Sequence, residues 1–257
     1  MRQDLANLRA QISAFETRGS CAHNVLATGA YGLDGALGGG LALGGVSELV
    51  PAVFMDEPAS ISFGLACAAA AMSQRSGDLV VLHDGSHARS WGTLYGPGLQ
   101  GIGLCPSRIL LICAPDAKRF QACLEDCART TGLAGVLALA GGKSGFHLAG
   151  ARRVQLAAEQ SQSLVLLVQS LRTITFAPAR ARLRVASSPS RSLPQGTTLP
   201  ALGPPAWQVI VERARGGASQ NGFGQQSFHL EYDYATHRLH QPAALANRPF
   251  GDTRQVA

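Results

Sequence analysis

Between Gly45 and Val168, five short and mainly apolar runs alternate with stretches of helical character, and this restricts the fold more than any other feature of the chain. The runs are 45–50, 78–83, 108–113, 135–140 and 164–168. A strand buried on both faces reads as a continuous apolar run, whereas a half-exposed strand alternates. Helical stretches fall at 58–75, which is rich in alanine and has Pro58 in its first turn, at 117–130 and at 151–161. Strands and helices in alternation predict an α/β fold with a mostly parallel central sheet covered by helices on both faces.

The last third changes character. Residues 180–185 and 207–213 alternate like half-exposed strands and are separated by a Ser/Pro/Gly-rich linker at 187–205. Gly216 and Gly217 open a turn before a further strand at 227–232, so 207–232 reads as an antiparallel hairpin with a long loop. These strands are expected at the C-terminal edge of the sheet. Beyond about Ala235 the pattern carries no period, and 236–257 is expected to be a tail. At the other end, Leu5, Leu8, Ile12 and Phe15 follow helical spacing and predict a short helix within 1–20, docking on the core or on a partner. The core proper is then 21–235.

Hydrophobic residues make up 46% of the 257 and charged residues 15%, which excludes wholesale disorder. No apolar stretch reaches the roughly 18 residues of a membrane span, and the start lacks a signal pattern, so a cytoplasmic protein without membrane contact is expected. The six cysteines (21, 67, 105, 113, 123 and 127) form no C-x-x-C pair, which argues for reduced, buried thiols and against a metal site. The net charge of +6 is uneven: residues 1–149 carry −1 and residues 150–257 carry +7.

That basic excess contains a pattern. Arg180, Arg182 and Arg184 would share one face of a strand while Ala181, Leu183 and Val185 pack inward. Like charges in a row repel unless an anionic partner meets them, and DNA or an acidic protein surface would serve. A solvated edge strand, kept from aggregating by its charges, explains the same residues. Arg213 and Arg215 beside the glycine turn, and Arg152 and Arg153 at a helix start, are secondary candidates for DNA or partner binding. Aromatic residues are only 6% of the chain, and none interleave with basic ones as in a stacking platform for single strands.

The segment 27–49 contains Thr28, Gly29, Leu33, Asp34, Ala36, Leu37, Gly38, Gly39, Gly40 and Leu41 in an order that resembles the entrance to the RecA-type recombinase core. In that fold the following strand ends at an ATP-binding phosphate loop, G-x-x-x-x-G-K-[ST], whose backbone N–H groups wrap the phosphates while lysine and a hydroxyl complete the site. Here Pro51 and Asp56 stand at the glycines, Glu57 at the lysine and Pro58 at the hydroxyl. Two carboxylates at a helix N-terminus would repel ATP and cap the helix themselves. The position of the catalytic glutamate is held by Ser86, and the strand that should end in a magnesium-binding aspartate ends in Ala140. No catalytic residue, nucleotide, metal or other cofactor is therefore expected. Two features weigh the other way. The run Gly141-Gly142-Lys143-Ser144 has the end of a phosphate loop without its first glycine, and His83 and Asp84 lie at a strand's C-terminal end, where α/β active sites often sit.

Within degenerate RecA-like chains, Arg152–Ser161, residues 181–190 and residues 205–217 resemble the ImuA family of bacterial damage-inducible mutagenesis proteins. The resemblance runs in order from about Thr28 to Tyr232. It implies a non-catalytic, RecA-like accessory protein of an SOS-induced translesion synthesis complex, acting beside an ImuB-like polymerase homologue and an error-prone polymerase, with the RecA recombinase and DNA as further candidate partners. Such a protein would join the nucleoid when DNA is damaged. The alternatives are a RecA-like ATPase or recombinase with an unusual site, and an inhibitor of recombinase filaments or of cell division.

Overall fold

The computed structural model describes residues 24–141, 146–171, 176–190, 203–216 and 226–242. The N-terminal stripe of Leu5, Leu8, Ile12 and Phe15 lies outside these residues, as do Lys143, Ser144, most of the 187–205 linker and the chain beyond 242. In chain order the elements are β1 (Val25–Leu26), α1 (Tyr31–Ala36), β2 (Leu41–Ala42), β3 (Gly45–Pro51), α2 (Glu57–Gln74), β4 (Leu79–Asp84), α3 (Gly85–Trp91), α4 (Gly96–Gly101), β5 (Ile109–Ala114), α5 (Ala117–Arg129), β6 (Gly135–Ala140), α6 (Leu148–Ser161), β7 (Leu164–Gln169), β8 (Ala181–Ser187), β9 (Ala206–Ala214), β10 (Gln226–Asp233) and β11 (Arg238–His240).

Nine strands form one mixed sheet in the order β11-β10-β9-β8-β3-β7-β6-β4-β5. From β5 to β8 every neighbour is parallel, and the pairs β8–β9, β9–β10 and β10–β11 are antiparallel. The α/β class, the parallel centre and the antiparallel C-terminal edge thus match the alternation in the sequence. Three things differ. The arginine strand β8 is not at an edge, because β3 pairs on one side of it and β9 on the other. The chain after Ala235 is not only a tail, since Arg238–His240 adds β11 and buries Leu239. The short helices α1, α3 and α4 were not legible, being too brief for a 3.6-residue period to repeat.

Two cores line the two faces of the sheet. On one, the alanine-rich α2 presses on Leu49, Leu137, Leu166 and Leu183, with Trp207 and Tyr232 closing the far side. On the other, α5 and α6 pack side by side over Val46, Leu82 and Leu167, with Phe120, Phe146 and Phe176 in edge-to-face contact. Cys67 and Cys127 are buried as expected, whereas Cys105 and Cys113 are exposed. Among the described residues, no helix is long and apolar enough to cross a membrane.

Candidate functional site

The signature segment 27–49 proves to be a structural clamp. Asp34, in the first turn of α1, accepts from the Thr28 amide at 2.9 Å, the Thr28 hydroxyl at 2.8 Å and the Gly29 amide at 3.1 Å. Leu33, Leu37 and Leu41 enter the core. Gly38, Gly39 and Gly40 all have positive φ, and a Cβ at Gly40 would lie 2.2 Å from the Leu26 carbonyl oxygen, so the run turns the chain back to pair β2 with β1.

From there β3 leads into the loop in which the recombinase resemblance places a phosphate loop. Residues 54–56 make one 3-10 turn, and α2 starts at Glu57. Asp56 and Glu57 are 6% and 7% exposed, so both carboxylates are taken out of water. Neither caps the helix. Asp56 sits at the N-cap position but its side chain makes no capping bond. It instead accepts from the Ser187 amide at 2.9 Å and the Ser187 hydroxyl at 2.8 Å, at the end of β8. Glu57 accepts from Trp91 Nε1 at 2.8 Å, the Ser170 hydroxyl at 2.5 Å and the Leu171 amide at 3.2 Å. The two acids thereby tie the β3 loop to the ends of β7 and β8 and to α3. A buried carboxylate needs such donors to be stable. Their presence turns the surroundings of the α2 N-terminus into a receptor for the protein's own negative charge.

The crevice between β4 and β6 is filled in the same way. It opens at the point where successive connections leave the sheet in opposite directions, the usual ligand position of an open parallel sheet. Asp84, at the end of β4, accepts from the Ser86 hydroxyl and the His87 amide, each at 2.7 Å, and across the crevice from the Gly141 amide at 3.0 Å. A Cβ on Gly141 would fall 2.0 Å from Ser86 Oγ, so only glycine permits this approach. The Gly141 amide is thus engaged by a carboxylate. His83 places Nδ1 3.2 Å from the Asp84 carbonyl oxygen, and burial lowers the pKa of the neighbouring His87.

A groove of about 870 Å³ runs beside the Asp56 turn, between Met55, Pro58, Ser62, Ser188, Trp207 and Tyr234. Among the described residues no lysine or arginine lines it, so these offer no countercharge to a phosphate.

The arginines of β8 do present alternate residues as expected, with Ala181, Leu183 and Val185 buried and Arg182 and Arg184 half-buried. The anions that meet them, however, belong to the same chain. Arg182 Nε lies 2.7 Å from Glu48 Oε2, directly across the β3–β8 pair. Arg184 pairs with Glu212 on β9, and Arg180 with Glu159 on α6 at 3.5 Å. Arg213 donates to the Ala177 carbonyl, and Arg153 pairs with Glu125 at 2.9 Å. Arg152, Arg153 and Arg215 are exposed.

Glu48 was not singled out from the sequence, although a carboxylate inside an apolar strand was the available signal. It is 1% exposed and accepts, besides Arg182, from Gln169 Nε2 at 2.7 Å and the Phe176 amide at 2.9 Å. Burial raises its pKa, against the Phe176 amide and Arg182, which both lower it.

Among proteins of known name, the chain is 31% identical to Protein ImuA of Caulobacter vibrioides strain NA1000 / CB15N over 250 residues, spanning 88% of this chain and 96% of that protein. The chain belongs to the ImuA family. Protein ImuA of strain ATCC 19089 / CIP 103742 / CB 15 of the same species gives the same figures. No protein-family model matches. The ImuA match spans nearly the whole length of both proteins, so the clamp at Asp34, the buried acids at Asp56 and Glu57 and the β8 arginines all belong to a chain of ImuA length.

Proposed function

We propose that this ImuA-family chain is a non-catalytic accessory protein of damage-inducible mutagenesis, a RecA-like scaffold that joins an ImuB-like polymerase homologue and an error-prone polymerase in translesion synthesis. One observation carries the non-catalytic part. Asp56 and Glu57 occupy the positions where a phosphate loop has glycine and lysine, and five internal donors hold them there. Phosphate would have to displace two buried carboxylates and approach a site beside a groove that no basic side chain lines among the described residues. The partner reading rests on family membership. The recombinase and DNA remain candidate partners, with exposed Arg152 and Arg215 better placed to meet them than the β8 arginines, whose charges are matched within the chain.

Calorimetry with magnesium and ATP, repeated with single-stranded DNA present, tests the first part. No heat of binding is expected in either titration. Binding abolished by Lys143→Ala would instead establish an ATPase with its phosphate site at 141–144. For the second part, affinity capture from DNA-damaged cells is expected to recover the polymerase homologue and the error-prone polymerase. Recovery of neither would remove the scaffold reading.

A further inference from the structure

The two edges of the nine-stranded sheet are built differently. One ends in β11, three residues long and carrying Arg238 and His240, which is how edges are normally kept from pairing. The other ends in β5, six residues with no charge and no proline. Along β5 the apolar side chains stand in water on both faces: Leu110 is 56% exposed and Leu111 47%. β5 pairs with β4 alone, and among the described residues no strand covers its outer side. Its outward N–H and C=O groups therefore face solvent between exposed leucines. Together these are the features of a strand that accepts another strand.

We propose that β5 pairs with β5 of a second copy of this chain, antiparallel about a two-fold axis, to make one continuous sheet through two molecules. The charges flanking the strand select a second copy as the occupant. Arg108 precedes β5 and Asp116 follows it, 40% and 55% exposed on their side chains; their pairs within the chain, with Asp78 at 3.7 Å and Arg119 at 3.9 Å, are long surface contacts of little strength. In an antiparallel pair, opposed residues both direct their backbone groups towards each other or both away, so a strand paired with its own copy sets some residue opposite itself. With Ile112 at the axis, Leu111 falls opposite the partner's Cys113, and Arg108, in the turn just before the strand, comes to the end at which the partner's Asp116 follows it. The strand is thus self-complementary, basic at one end, acidic at the other and apolar between. This inference does not depend on the function proposed above. Six residues of strand with their flanks lie at the small end of specific interfaces, so micromolar association is expected.

The full-length chain should sediment as a dimer at about 50 µM, and Leu111→Lys, which sets an ammonium in the middle of the pair, should shift it to monomer at the same loading, weakening association about tenfold or more. Leu110→Lys should do the same from the other face. Both leucines are half in water, so each variant should keep the parent's melting temperature at loadings low enough for the parent itself to be monomeric. Leu111→Cys, oxidised with diamide, should form an intermolecular disulfide to the partner's Cys113, located by peptide mass spectrometry, because directly opposed residues bring their Cβ atoms to about 4.5–5.5 Å. A parent chain that stays monomeric at about 100 µM would overturn the proposal, since an edge used between copies must pair at that concentration. So would a dimer indifferent to both lysine substitutions, or a disulfide that maps only to Cys105.

Discussion

Glu48 and Arg182 show how a side chain read as functional becomes structural. The pair spans β3 and β8 in direct register, and the remaining oxygen of Glu48 is occupied by Gln169 and the Phe176 amide. Removing one member leaves the other charged and largely out of water, which costs more than the pair itself contributes. Glu48→Ala is therefore expected to lower stability by about 2–4 kcal/mol in urea titration, while Glu48→Leu with Arg182→Leu should recover much of that loss. The pH dependence has a definite sign. A carboxyl whose pKa is raised by folding binds its proton more readily in the folded state, so its contribution to stability is greatest below the ordinary value of 4.5 and is lost as pH rises. Relative to the non-titrating Glu48→Gln, the parent chain should gain stability as pH is lowered from neutrality towards that value.

At the scale of elements, α2 is the helix on which the arrangement of the Asp56–Glu57 loop depends. Its 18 residues include buried Ala66, Ala68, Ala69, Ala70 and Ala71, small enough to let the helix axis approach the sheet closely. Gly64 marks the tightest contact, where a Cβ would meet Leu137 at 3.0 Å, Val168 at 3.2 Å and Leu49 at 3.3 Å. Gly64→Val should overpack this contact and cost about 1–3 kcal/mol, seen as a fall in melting temperature. Were α2 held mainly by its own helix propensity, the same change would be nearly silent. Once the helix is seated, its first turn delivers Glu57 to Trp91 and Ser170, and the 3-10 turn delivers Asp56 to Ser187. The site's chemistry is set by how closely α2 lies on the sheet.

For the whole molecule, the C-terminal antiparallel strands are integral to the core. β11 covers β10, buries Leu239 and donates a hydrogen bond from the Leu239 amide to the Thr28 carbonyl oxygen at 3.1 Å, so the end of the fold holds its beginning. Tyr232 reaches across to the Ile102 carbonyl at 2.6 Å. A chain ending at Ala235 is expected to lose about 2–5 kcal/mol or to aggregate through the uncovered β10, because a buried leucine and a sheet edge are removed together.

The fold class was legible because it rests on short-range regularities: mainly apolar runs at 78–83, 135–140 and 164–168, too short for helices, read as buried strands, and the alternation at 180–185 marks one inward face. The acidic character of the loop after β3 was equally plain, since Asp56, Glu57 and Pro58 stand where a phosphate loop has glycine, lysine and a hydroxyl. Pairing across the chain was not legible. Whether Arg182 meets solvent, DNA or Glu48 depends on a β3–β8 register joining residues 134 positions apart, and whether β8 or β5 forms an edge depends on strand order. Sequence periodicity specifies which face of an element is apolar, but a charge's partner and an edge's exposure are long-range properties. Only the tertiary structure decided them.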